Sequence, residues 1–161
     1  MDHGELAAWL RLALTWGVGN ATARRLLAAF GLPTSIFRQT AVALGQVVTA
    51  AEAQALLTEP RGFSDKLAAT WAWLNEASPH VERRIVTLGD PAYPPELLAT
   101  ADPPVMLYLL GQIPSTWPAC IAMVGSRNPT PQGLTNAKEF ARSFSQVGLT
   151  VVSGMALGID A

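Results

Sequence analysis

The chain has 161 residues and a mass of 17.1 kDa, enough for one ordinary domain or two small ones. Half of it is apolar and only 14% is charged, which excludes a disordered tail. Lys plus Arg (11) nearly balance Asp plus Glu (12) for a formal net charge of -1, so a generally basic nucleic-acid binder is excluded and any anion site must be local. From Glu5 to Glu82 the apolar pattern is helical. Leu6, Trp9, Leu10, Ala13 and Leu14 recur at helical spacing. A second helix runs from Ala21 to Phe30, closed by Gly31 and stopped by Pro33. Shorter helical pieces are expected over Ser35–Leu44 and Ala50–Leu57, and a longer one over Asp65–Glu76, ending near Pro79.

The second half changes texture. Arg84–Leu88 reads as a short strand, followed by the proline-rich turn DPAYPPELL. Val105–Leu110 and Ile121–Val124 are apolar runs of strand length. The loop SRNPTPQG leads into a helix whose apolar face is Leu134, Ala137, Phe140, Ala141, Phe144 and Val147. Gly148 ends that helix, and Leu149–Val152 is the next strand. This strand, loop, helix, strand order predicts the opening of a parallel α/β sheet. The expected division is a helical domain over 1–84 and an α/β domain over 85–161. So short a parallel sheet leaves a face and an edge uncovered, so further chain or a partner is expected to complete it.

No apolar segment reaches the roughly 18 uninterrupted residues a membrane span requires, because Pro103, Pro104, Gly111, Pro114 and Pro118 break the longest charge-free stretch. The acidic start MDHGEL is unlike a signal peptide, and a soluble cytoplasmic protein is expected. The single cysteine, Cys120, fits a reducing compartment and reads as a small buried strand residue. His3 and His80 lie in unrelated polar segments and form no metal-ligand set, so neither a metal nor any other cofactor is expected. The five tryptophans, Trp9, Trp16, Trp71, Trp73 and Trp117, read as core residues rather than base-stacking platforms.

Three segments carry chemistry. In GVGNATARRLL, Gly17 and Gly19 flank one apolar residue in a tight turn between helices, a helix-hairpin-helix pattern. Its backbone N–H groups can face a phosphate at the start of the next helix, with Arg24 and Arg25 nearby. A plain helical hairpin with both arginines solvated is the competing reading. In the loop after the Ile121 strand, Gly125 permits close backbone approach. Ser126 and Thr130 offer hydroxyls there, and Arg127 offers a planar fork suited to phosphate. Neither the dinucleotide fingerprint nor a Walker lysine is present, and a structural ion pair of Arg127 is the competing reading. In SGMALGID, the small residues Ser153, Gly154 and Gly158 form a donor-rich floor beside that loop if the two strands are neighbours. Asp160 is expected as a helix cap or a partner for Arg127.

Together these pieces resemble the DNA-processing protein A (DprA, or Smf) family. The resemblance rests on Tyr93-Pro94-Pro95-Glu96-Leu97-Leu98, on Pro103-Pro104-Val105-Met106-Leu107-Tyr108 with Gly111, on Val124-Gly125-Ser126-Arg127, and on Val152-Ser153-Gly154-Met155-Ala156-Leu157-Gly158-Ile159-Asp160. It implies a SAM-like helical domain with secondary DNA contacts, followed by the truncated start of an extended Rossmann-like domain. It further implies a non-enzymatic mediator that binds incoming single-stranded DNA and loads RecA during natural transformation, as a homodimer in the full-length protein. Carried onto this sequence, Gly125, Ser126 and Arg127 would hold backbone phosphate, with Ser153 and Gly154 lining the adjoining floor. The alternative is a nucleotide-processing enzyme of the lysine-decarboxylase-like type, which shares a similar phosphate loop but does not require the YP-P-LL and SGxAxGID motifs.

Overall fold

The computed structural model describes residues 1–78 and 81–161; His80 and the helix end expected near Pro79 lie outside the described residues. The chain mixes helices with two small sheets and divides into two compact units, Met1–Ile113 and Pro114–Ala161.

The first unit is built on helices α1 (His3–Leu14), α2 (Asn20–Phe30), α3 (Pro33–Ile36), α4 (Ala41–Leu44), α5 (Ala50–Leu57) and α6 (Phe63–Leu74). Polar residues set their starts. The Asp2 carboxylate accepts the Glu5 amide at 2.8 Å ahead of α1, and Thr49 with Glu52 closes a reciprocal capping box on α5. The single helix expected over Ser35–Leu44 is two short ones, because Thr40 caps a new start by accepting the Ala43 amide. Leu6, Leu12, Leu26, Ile36, Leu44 and Leu56 are fully buried, and Trp9 packs in one core with the last five. Trp16 departs from expectation. It projects from the turn after α1 and is 87% exposed, because the buried residue of that turn is Val18.

Strands β1 (Glu82–Thr87) and β2 (Met106–Gly111) pair antiparallel with Ile85 opposite Tyr108, and helix α7 (Pro95–Leu98) lies in their connection. They form a sheet of their own, separate from the strand–loop–helix–strand unit of which the parallel sheet was expected. The connection returns close to its start: the Leu88 amide donates to Val105 O at 3.1 Å and the Tyr93 hydroxyl to Pro104 O at 2.7 Å. The connection thus folds back to the end of β1 that it left, which makes β2 antiparallel, whereas a parallel neighbour needs a crossover to the opposite end of the strand. Val105 is buried with the helical core, which holds this pair to the first unit.

The second unit does contain the expected crossover. Strand β3 (Cys120–Ala122), helix α8 (Pro131–Gln146) and strand β4 (Thr150–Val152) follow in order, and β3 pairs parallel with β4 in the register Ile121 to Val151. Ala137, Ala141 and Phe144 are half-buried, while Leu134, Phe140 and Val147, expected on the same apolar face, are exposed. Cys120 is exposed as well, contrary to expectation, with its thiol donating to Pro118 O. None of the unit's residues is buried, since two strands and one helix have too little apolar surface to enclose a core.

Candidate nucleic-acid interface

The two loops singled out in the sequence leave the carboxyl ends of β3 and β4, where ligands of open parallel sheets bind. The strands' pairing continues one step beyond the sheet, as the Met123 amide donates to Val152 O at 2.9 Å. This sets the 124–130 loop against the 153–160 loop, and they meet through one backbone–backbone and one backbone–carboxylate hydrogen bond. The Ile159 amide donates to Ser126 O at 3.1 Å, and the Gly125 amide donates to the Asp160 carboxylate at 2.9 Å. On Asp160's other side, the Ser153 hydroxyl donates to its main-chain oxygen at 2.8 Å.

Two glycines make this approach possible. A Cβ on Gly125 would stand 2.7 Å from the Ile159 side chain. One on Gly158, where φ is +96°, would stand 2.2 Å from Ser126 O and 2.8 Å from Arg127 Cα. Only residues without a side chain fit there.

Gly125, Ser126, Arg127, Ser153, Gly154 and Gly158 are thus brought together, but much of their polar capacity is already used. Ser126 Oγ accepts the Asn128 amide at 3.1 Å. Thr130 stands at the edge of the group as the N-cap of α8, its hydroxyl accepting the Gly133 amide at 3.1 Å. Arg127 is the exception. It is exposed and, among the described residues, has no ion-pair or hydrogen-bond partner through its guanidinium. Asp160 does not pair with it as expected, because its carboxylate is held by the Gly125 amide. The unit's charge is three cations (Arg127, Lys138, Arg142) against two carboxylates (Glu139, Asp160). Sequence reasoning missed the part played by Ile159 and Asp160. The signal was the spacing of Gly158, Ile159 and Asp160, which places a clearance, an apolar contact and a cap on successive residues.

The residues of the other candidate, in the first unit, are placed differently. Gly17 (φ +82°) makes the turn, Val18 buries into the core and Gly19 is the N-cap of α2, so the glycine hairpin is formed. Arg24, however, is not solvated. It pairs with Asp102 at 2.8 Å and donates to Pro103 O at 3.1 Å, tying α2 to the segment before β2. The Arg24 guanidinium and then the Asn20 amide hold the Asp102 carboxyl below the usual carboxylate range. This carboxylate lies beside the start of α2, where a phosphate would have to sit. Arg25 is exposed and donates to Thr22 Oγ1 at 3.1 Å.

Among the described residues no group of three or more His, Cys, Asp or Glu is arranged to hold a metal, and His3 packs edge-on against Trp71. Nor, among them, is any helix long and apolar enough to cross a membrane. A cleft of about 160 Å³ between α8 and the sheet is smaller than the roughly 300–1,000 Å³ of small-molecule pockets.

Residues 84–161 match the family model of DNA recombination-mediator protein A. Three curated relatives are each named Protein Smf. That of Synechocystis is 30% identical over 179 aligned residues, covering all of this chain and 40% of the relative. That of Escherichia coli is 32% identical over 121 residues, covering 74% of this chain and 30% of the relative. That of Borreliella burgdorferi is 31% identical over 77 residues, covering 48% of this chain and 24% of the relative. The chain therefore spans less than half the length of each of these relatives. No solved structure matches it. On the family-model match, the relatives and the four ordered motifs, this chain belongs to the DprA/Smf family of DNA-processing, recombination-mediator proteins.

Proposed function

We propose that this chain is the part of a recombination mediator that holds single-stranded DNA by its backbone, in a protein that protects incoming DNA and loads RecA in the cytoplasm during natural transformation. The observation that carries the reading is Arg127. It is an exposed guanidinium, without a partner among the described residues, on a loop fixed at the carboxyl end of a parallel strand. A planar fork held there suits phosphate oxygens and reads no base, which matches sequence-tolerant binding of a single strand. Gly125, Ser126 and Arg127 form the phosphate contact in this reading, with Ser153, Gly154 and Gly158 as the adjoining floor and Thr130 at its edge. Gly17, Gly19, Arg24 and Arg25 are a secondary contact, and Arg25 is the more available of the two arginines.

The proposed domain division is a SAM-like domain over 1–84 and the beginning of a Rossmann-like domain over 85–161. It is supported by the family match, which begins at residue 84. A homodimer and transfer to RecA belong to the same proposal, and no catalytic step is part of it. Fluorescence anisotropy with labelled oligo-dT, at two or more salt concentrations, tests the reading on this chain and its Arg127→Ala variant. Binding should weaken with salt, and the variant should lower the slope of log affinity against log salt by about 0.7, the value of one single-strand phosphate. A folded Arg127→Ala protein with unchanged affinity and slope would refute the site.

A further inference from the structure

The SGMALGID segment contributes an acid to a place read as an anion site, and that acid is bonded to Gly125, two residues before Arg127. A carboxylate near an unpaired arginine ordinarily pairs with it, which would cancel the charge a phosphate needs. Here it does not, and the surrounding residues give the reason. The Gly125 amide donates to Asp160 Oδ1 at 2.9 Å, and the Ser153 hydroxyl donates to the Asp160 main-chain oxygen at 2.8 Å. Asp160 Oδ2 lies beside Gly154, at ordinary contact distance (3.6 Å) from where a Cβ on that glycine would be. Gly158 and Ile159 bring the segment in, the one by clearing Ser126 O and the other by donating to it at 3.1 Å. Four residues of the two loops, Gly125, Ser153, Gly158 and Ile159, thus converge on the placement of one carboxylate.

We propose that Asp160 is a positioning residue for the DNA contact: by accepting the Gly125 amide it locks the 125–127 loop and leaves the Arg127 guanidinium free for a phosphate. The inference rests on the reading of Arg127 given above. Asp160 acts through hydrogen-bond acceptance, and its negative charge opposes the phosphate. A neutral acceptor of the same shape therefore preserves the function or improves it, while a displaced carboxylate damages it.

The test uses the intact protein, labelled oligo-dT and the variants Arg127→Ala, Asp160→Ala, Asp160→Asn, Asp160→Glu and the double alanine variant. Arg127→Ala should weaken binding roughly tenfold, the scale of a charge-assisted hydrogen bond. Asp160→Ala should approach the same loss and the same lower salt slope, and the double variant should be no worse than Arg127→Ala alone, because the two residues act as one unit. Asp160→Asn should bind at least as tightly as the unaltered protein, and Asp160→Glu more weakly. This order decides the matter even if the alanine variant does not fold. Hydrogen exchange at the Gly125 amide should speed up in Asp160→Ala and Asp160→Glu but not in Asp160→Asn. If Arg127→Ala weakens binding while folded Asp160→Ala does not, or if the two losses multiply, Asp160 has no positioning role. If Arg127→Ala binds normally, the DNA reading of the loop fails and the inference goes with it.

Discussion

The contact between the two loops is tested by replacing Gly158 with alanine and comparing the result with the same change at Gly148. Both glycines have positive φ, +96° and +86°, but their surroundings differ. A Cβ on Gly148 meets nothing within 4 Å, so Gly148→Ala carries only the backbone strain of a left-handed residue, about 1–3 kcal/mol. A Cβ on Gly158 stands 2.2 Å from Ser126 O, a backbone atom that cannot swing away as a side chain would. Restoring ordinary contact requires the loops to part by about 1 Å. The Ile159–Ser126 hydrogen bond, 3.1 Å long, does not survive that opening, which adds about 0.5–1.5 kcal/mol to the same backbone strain. Gly158→Ala should therefore cost about 1.5–4.5 kcal/mol in all. Urea denaturation gives the totals, and hydrogen exchange at the Ile159 amide isolates the loop contact. Exchange there should rise in Gly158→Ala and stay unchanged in Gly148→Ala. Equal destabilisation by the two variants, with Ile159 equally protected in both, would refute the interlocked geometry.

In the first unit, Leu26→Ala empties a fully buried site on the second hairpin helix and should cost about 2–5 kcal/mol in a denaturant melt. Trp16→Ala removes a side chain that is 87% exposed and should change stability by no more than about 0.5 kcal/mol, whereas a core tryptophan would lose several times that. Tyr93→Phe leaves the Pro104 carbonyl without its donor and should cost about 1–3 kcal/mol in the same melt. The pH profile follows from three groups. Asp102 and Glu52 have folded pKa values below the ordinary 3.8 and 4.5, Asp102 chiefly through Arg24 and Glu52 chiefly through the Thr49 amide and hydroxyl. Their contribution is present above those ordinary values and is lost as the pH falls through the depressed ones. Burial raises the Tyr93 pKa above 10.0, so its contribution is present below pH 10 and lost above it. Melting temperatures from pH 2 to 11 should fall at both ends, and Asp102→Asn should flatten the acid limb.

The helices of the first unit were legible because their apolar spacing and end signals are local. Gly31 donates to Leu27 O and Thr49 caps with Glu52, each within four residues. The crossover from Ile121 to Val152 was legible for the same reason. What sequence reasoning misplaced depends on distant partners. Arg24 was read as solvated or facing DNA because nothing near it in the chain discloses Asp102, 78 residues away. Strand runs alone do not state their direction, so the antiparallel pairing of β1 with β2 is set by the return through Pro104 and is not legible in either run. Trp16 read as core because its type is usually buried, but only one residue of the tight hairpin can point inward, and Val18 takes that place.

The candidate site shows why its motif was readable as a site and not as a mechanism. Phosphate loops are recognised by glycines, and glycine is commonly taken to mean that the ligand comes close to the backbone. At Gly125 and Gly158 the close neighbour is the other loop: an added Cβ would stand 2.7 Å from the Ile159 side chain and 2.2 Å from Ser126 O respectively. Their small size is thus fully accounted for by the protein's own packing, and they carry no independent argument for a ligand. That argument falls on Arg127, whose charge has no partner among the described residues. The hairpin of the first unit shows the converse: Gly17 and Gly19 leave the backbone open, yet Asp102 already satisfies Arg24. A phosphate at that hairpin must displace a salt bridge that also anchors the segment before β2, and one at Arg127 need displace only water. Removing Arg127 should consequently weaken DNA binding without loss of stability, while removing Arg24 should reduce stability whether or not DNA is present.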